Sequence, residues 1–449
     1  MLRPARCGIV LATALACVVG LASQRASAEQ QEARVQYFDA TQAEIGSKLG
    51  HQVSAYVNFD DAPGYVEGVG SCKEWSANER ALITLRLQTI VDRAPGLIVA
   101  AGDGGKLRLL RTTRLLVDVG AFGMHPLESV QAATTPKGIL ITDKFFITPT
   151  RWQTKALAHE MTHASELGET VSHSHAWVAF AQQTITKIRK DHHPKSYAEW
   201  VGIDTELRSK NIWPSLYGCT NLREALADYV AATIFDSDFQ SSEQFKSTIL
   251  PLVIAQSDQS LQWNASFKAA KISFSESKDS KKYIGDLEAL EKSDPSTASI
   301  YGFLSYFYKA NKDFDKASNT IDEGKKLLNE AGVSHSDESY IYLLGAEASI
   351  LLDQAKYEQS MQILNELLAI SPDDKYGLQA RSFVNYKLGN AQAATVDQKH
   401  LANLKTRQRA SESEIVVETR NLTSLSSART SVRDFLSGKT TVLYGFDSR

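Results

Sequence analysis

The sequence predicts an α+β domain followed by an α-helical repeat domain, and three patterns carry that expectation. Gly138-Ile-Leu-Ile-Thr-Asp-Lys-Phe-Phe-Ile147 is rich in β-branched and aromatic residues and reads as a strand. It is followed by a segment in which Leu157, Met161 and Ala164 fall at i, i+4 and i+7, the spacing of a helix with one core-facing stripe. From about residue 295 the chain becomes helical throughout, with similar helix starts returning at long intervals.

Arg3 and Arg6 precede an apolar run from Cys7 to Leu21, and Ala26-Ser27-Ala28 offers a small-residue cleavage site before Glu29. Residues 1–28 are therefore expected to be a signal peptide cleaved after Ala28, with the mature chain periplasmic or secreted. Loss of Arg3, Arg6 and Arg25 takes the formal charge from -3 to -6. A mildly acidic chain has no electrostatic footprint for nucleic acid. No apolar run long enough to span a membrane follows the N-terminus, so no integral membrane domain is expected in the mature chain. A length of 449 residues allows two or three domains, and 43% hydrophobic with 22% charged residues suits folded protein. Of the cysteines, Cys72 and Cys219 survive cleavage, either as one disulfide or as two separate buried thiols.

Residues 29–118 read as an N-terminal α+β segment. Glu79 to Val91 is an amphipathic helix stopped by Pro95-Gly96; Gly102-Asp-Gly-Gly105 is a turn; Lys106 to Leu110 and Leu115 to Val119 are strand-like. Residues 119–250 follow as the next domain, with residues 29–118 either a small α+β subdomain or the upper part of that domain. Its first long helix is expected to start with Thr150 as N-cap and Gln153 closing a capping box, and to stop near Gly168.

Within that helix lies His159-Glu160-x-x-His163. Side chains four apart share a helix face, so both imidazoles can be directed at one metal ion, Zn²⁺ for this donor type. Glu160 flanks that face and can act as general base on a metal-activated water. A strand followed by a metal-binding helix is the arrangement expected of a zincin. Such sites usually have a third protein ligand, and two residues compete for it. His173 opens His173-Ser-His175-Ala-Trp177, the start of a second helix with Trp177, Phe180 or Ala181, and Ile185 inward; its setting resembles SprT-like proteases. His192 and His193 read as a surface loop.

Glu224 is the preferred ligand. It lies in Tyr217-Gly-Cys-Thr-Asn-Leu-Arg-Glu224-Ala-Leu-Ala-Asp228-Tyr-Val, where Leu222, Leu226, Tyr229, Val230 and Thr233 form one stripe and Glu224, Asp228, Ala231 and Phe235 the other side. Two acids on a partly buried face need a cationic partner. A ligand at Glu224, with Asp228 one turn on holding the outer nitrogen of a ligating histidine, meets that need. The alternative is that Glu224 merely completes a capping box with Asn221.

His-Glu-x-x-His followed by Glu-x-x-Ala-Asp resembles the gluzincin metallopeptidases, and the Tyr217 to Glu224 segment is similar to that of anthrax lethal factor-like peptidases. The resemblance spans roughly residues 138–235 and implies a zincin-like catalytic domain with zinc on His159, His163 and Glu224 and Glu160 as base. It also implies that Tyr217 donates a hydrogen bond to the developing oxyanion. Leu226 stands where the family tends to be aromatic, and Asp228 where it has glutamate.

Residues 251–294 read as a helical linker and 295–405 as repeats, with a polar tail from 406 to 449. Asp313-Phe-Asp-Lys-Ala317, Lys356-Tyr-Glu-Gln-Ser360 and Asn390-Ala-Gln-Ala-Ala394 occupy comparable positions; Ser360 to Ala394 is 34 residues and Ala317 to Ser360 is 43. The first spacing resembles tetratricopeptide (TPR) repeats, and the second implies an insertion near Asn329 to Ser334. Such stacks make a concave surface suited to peptides or partner proteins. The expected function is an extracytoplasmic zinc endopeptidase whose repeats hold a protein substrate or dock a partner. The other expectation is a TPR-type interaction protein with a vestigial or structural metal site.

Overall fold

In the computed structural model four short strands form one mixed sheet: β1 (Val57–Phe59), β2 (Leu107–Arg111), β3 (Ala132–Thr135) and β4 (Gly138–Ile141), in the order β1-β2-β4-β3. The structure describes residues 53–404 except 62–64, 67–69, 113–115, 118–127, 130, 149, 168, 193, 195–196 and 296. The signal segment, the C-terminal tail, Gly168 and His193 thus lie outside the described residues. β1 and β4 run parallel to β2, through Val57↔Leu107 and Leu109↔Ile139, while β3 is antiparallel to β4 through Thr134↔Ile139. The β3–β4 turn requires Gly138: its φ is +143°, and a Cβ there would run into the Arg108 carbonyl. Two-residue ladders pair Tyr65–Val66 with Gly70–Ser71 and Leu116–Val117 with Glu128–Ser129.

Helices cover this sheet. α1 (Ala77–Arg93) starts at a complete capping box between Ser76 and Glu79. Pro95 does not simply end it: α2 (Pro95–Ala101) begins there, because proline at a first helical position gives up a donor the helix does not use. The expected strand 138–147 ends at Ile141. After Thr142 the chain turns into α3 (Asp143–Ile147), where Asp143 pairs with Lys73 and with the buried Arg111. α4 (Thr150–Ser165) carries the His-Glu-x-x-His motif. Gln153 does not close its capping box; its Nε2 donates to the Phe145 and Thr148 carbonyls and its Oε1 accepts from Arg86. Leu157, Met161 and Ala164 are buried as the periodicity requires. α4 packs on β3, β4, α1 and α2.

α5 (His175–Asp191) is capped by Ser174 and buries Trp177, Ala181 and Ile185. α6 (Tyr197–Ser209) follows, and α7 (Leu222–Phe235) lies along α4. Trp177 is fully buried among Trp213, Tyr229 and Phe245, and its indole N–H donates to the Leu222 carbonyl at 2.9 Å. Truncating such a residue typically costs about 3–5 kcal/mol, so this cluster anchors the start of α7. Cys72 and Cys219 are free and buried, which sets the disulfide alternative aside. No described helix is long and apolar enough to cross a membrane.

After a π-turn at Phe245–Ile249 and α8 (Leu250–Ile254), helical hairpins begin earlier than residue 295. α9 (Asp258–Ser277) and α10 (Ser280–Ser293) pack on one another, and α10 packs on α11 (Ala298–Ala310). Phe274, Tyr283 and Phe307 interlock at 4.7–4.9 Å between ring centroids. The segment read as a linker is therefore a hairpin of the helical stack. α11 pairs with α12 (Phe314–Glu330), α13 (Glu338–Asp353) with α14 (Tyr357–Ile370), and α15 (Lys375–Lys387) with helical residues 391–404. Ala317, Ser360 and Ala394 are all buried. The turn inside each pair uses one left-handed residue, Lys312, Ala355 and Gly389. Glycine, the residue that adopts this conformation most readily, occupies one of the three, which is why the repeat signal looks degenerate in sequence.

The helical stack touches the sheet-bearing part at several places, among them the start of α13. Asp337 caps α13 and also accepts from the Leu222 N–H, while Ser339 lies 3.0 Å from His173 Nε2. His173 also faces Glu169 and Asp337 at 3.5 Å. Burial disfavours its charge, but Asp337, Glu169 and Glu166 outweigh burial and push its pKa up to about 9. A raised folded-state pKa means that protonation favours the fold: the stabilisation is complete below the unfolded value near 6.5 and fades as pH rises through about 9. Relative to His173→Gln, the metal-free protein should gain up to about 3 kcal/mol at pH 6 and lose most of that gain by pH 10. Thermal unfolding across that range checks it; a difference independent of pH would contradict the assignment.

Candidate metal centre

His159 and His163 sit one turn apart on α4, so the helix alone directs both rings to one side. Glu224 reaches them from α7. His159 Nε2 is 3.0 Å and His163 Nε2 3.2 Å from Glu224 Oε2, and the two imidazole nitrogens are 3.1 Å apart. These residues form the cluster with ligand atoms mutually within 4.8 Å among the described residues. Ligand atoms about 2.0–2.1 Å from a tetrahedral Zn²⁺ stand about 3.3 Å from one another, so the observed triangle has the size such an ion needs. Two imidazoles and one carboxylate also match its borderline-soft donor preference.

The arrangement rests on antiparallel packing of α4 against α7. One turn before His159, Lys155 Nζ lies 3.5 Å from Asp228 Oδ1, one turn after Glu224. Both side chains are less than a tenth exposed. Asp228 does not hold the outer nitrogen of a histidine, as its spacing suggested. Its Oδ2 accepts from Ser215 at 2.7 Å, and Ser215 Oγ accepts from the Gly218 N–H at 3.0 Å. A Cβ on Gly218 would lie 2.9 Å from the Asp228 carboxylate, so glycine permits that approach. Asp228 thus ties the turn bearing Tyr217 to α7, and His163 Nδ1 is left without a hydrogen-bond partner.

The charges follow from this geometry. Burial opposes ionisation of Glu224, but His163 and His159 overcome it and hold the carboxyl well below the usual range. Burial likewise disfavours a charged His159, yet Glu224, Glu160 and Asp228 raise its pKa. Burial, with Glu224 and Glu160 nearby, keeps the Tyr217 phenol protonated well above its ordinary range. A phenol in that state is a hydrogen-bond donor. Tyr217 begins the turn Tyr217–Cys219 and its ring centroid is 6.0 Å from that of His159.

Glu160 reaches the edge of the sheet, where the single Thr134 hydroxyl proton is shared between the Glu160 carbonyl, 2.7 Å away, and its Oε2, 2.8 Å away. The end of α4 is satisfied by Gln256 and Asn264, which donate to the Ser165 carbonyl at 2.9 and 3.0 Å. Asn221 caps α7 by accepting from the Glu224 N–H at 2.8 Å. Capping uses the backbone of Glu224 and leaves its carboxylate to the histidines. His173 lies instead against α13 and is not in the cluster. Thr134, Lys155 and Ser215 were not singled out from sequence. Lys155 did leave a trace, since it stands one turn before His159 on a helix that buries most of its faces; Thr134 left none.

No family model matches the chain, and no curated protein matches it. Among solved structures it is similar to one titled MamA MSR-1 C2, with 12% identity over 40% of this chain and 88% of that chain and a TM-score of 0.27.

If the triangle is a metal site, Glu224→Ala should lose most bound Zn²⁺ while His173→Ala keeps the wild-type content. Elemental analysis of the two purified variants side by side checks this. Loss confined to His173→Ala would reverse the ligand assignment.

Proposed function

We propose that the chain is an extracytoplasmic zinc endopeptidase of the gluzincin type, built on a zincin-like domain, that hydrolyses peptide bonds. The reading is carried by one observation: His159, His163 and Glu224 converge with Glu160 on the adjoining helix position and Tyr217 alongside. Bound there, Zn²⁺ would supply Lewis acidity toward the scissile carbonyl and make a water molecule more acidic. Glu160 takes a proton from the attacking water and returns it to the leaving amine, so that water adds across the amide and one acid and one amine result. The Thr134 hydroxyl, shared between the carbonyl and the carboxylate of Glu160, ties that side chain to the sheet edge. Tyr217, kept protonated, donates a hydrogen bond to the carbonyl oxygen as it gains charge.

The repeats would hold a protein substrate or a partner. That part of the reading is supported by Tyr306, Tyr342 and Tyr376, half-exposed aromatics on the first helix of successive pairs. The competing reading, an interaction protein with a structural or vestigial metal site, leaves Glu160 without a task. The leader-like Met1 to Ala28 segment supports the compartment.

Glu160→Gln keeps the shape of the side chain and removes the base. With Zn²⁺ content unchanged, its cleavage of an unfolded protein such as casein should fall by about 10²–10⁴-fold. Cleavage at the wild-type rate would defeat the proposed chemistry.

A further inference from the structure

The helix that supplies the third ligand has its beginning held from outside as well as by its own cap. Its cap, Asn221, donates through Nδ2 to Glu338 Oε2 at 2.9 Å, and its first residue, Leu222, donates its N–H to Asp337 Oδ2 at 3.3 Å. Asp337 and Glu338 are consecutive residues at the start of α13, more than a hundred positions away in the repeat region. Asn221 has one oxygen and one amino group to assign. With the amino group committed to Glu338, the oxygen faces the Glu224 N–H, at 2.8 Å. The two helix starts meet here, Asp337 accepting from one N–H that α7 leaves unpaired and Glu338 from the side chain of its cap. His173 steadies the acidic side from below, 3.0 Å from Ser339 and 3.5 Å from Asp337.

We propose that the first turn of α13 belongs to the metal centre, with Glu338 and Asp337 as positioning residues that fix Asn221 and through it the backbone of Glu224. The inference rests on the metal reading of the triangle, though not on the peptidase reading. The repeat region then sets metal affinity as well as offering a docking surface. Any partner that shifts α13 would be felt at Glu224.

The test uses the full chain and Zn²⁺ alone, titrated against a chromophoric chelator, with the visible spectrum of the Co²⁺-substituted protein as second readout. Glu338 is exposed, so its replacement puts little folding at risk. Glu338→Ala should weaken Zn²⁺ binding about tenfold, in the range of outer hydrogen-bond partners of metal ligands, and alter the Co²⁺ bands. Glu338→Gln keeps an acceptor for Asn221 without the charge and should bind as wild type. Glu358→Ala, an exposed acid on α14, controls for loss of one negative charge and should be silent. In an Asn221→Ala background, Glu338→Ala should have no further effect. Wild-type affinity in Glu338→Ala, or equal weakening by Glu338→Gln, would overturn the positioning role while leaving the metal reading intact. A wild-type chain that binds no Zn²⁺ would overturn both.

Discussion

Two imidazole nitrogens and a carboxylate oxygen within 3.2 Å of one another concentrate charge in a place where water is scarce. The contacts around the triangle hold α4 and α7 antiparallel so that these three atoms meet. One turn away, Lys155 and Asp228 form a buried ion pair between the same two helices, and removing one member of such a pair costs more than the pair itself contributes. Below, the fully buried aromatics around Trp177 grip the start of α7, and hydrophobic contact with the sheet grips α4. The apolar burial supplies the larger share of the energy. The polar contacts decide which turn of one helix meets which turn of the other.

Each group with a proposed chemical task is attached to a different part of the fold. Glu160 is tied to edge strand β3 through Thr134, Tyr217 to α7 through Ser215 and Asp228, and Glu224 to the repeat region through Asn221. A centre assembled in this way depends on the relative placement of three elements distant in sequence. Its geometry is therefore sensitive to changes in how they pack.

Local periodicity made much of this legible. The four-residue spacing of His159 and His163, and the two faces of the Leu222–Phe235 helix, are statements about a single helix and could be read directly. The 34- and 43-residue intervals between Ala317, Ser360 and Ala394 predicted the helix pairs for the same reason. What could not be read depends on contacts between elements. The charge of Asp228 pointed correctly to a buried cation, but sequence spacing cannot distinguish a lysine on the facing helix from an imidazole. Gln153 has the spacing of a capping-box residue and is drawn away by the Phe145 and Thr148 carbonyls and by Arg86. The strand over residues 138–147 was overextended because apolar residues such as Phe145 look alike in a strand and in a short buried helix. Nothing in the sequence marks Asp337 and Glu338 as partners of a second helix start.

The most direct test of the account is the zinc K-edge X-ray absorption spectrum of the full chain loaded with one equivalent of Zn²⁺. The expected first shell is nitrogen and oxygen at about 2.0–2.1 Å, with the multiple-scattering pattern of two imidazoles and no sulfur. A sulfur shell at about 2.3 Å, or a spectrum without imidazole scattering, would mean that the ion sits elsewhere and that the triangle is not a metal site.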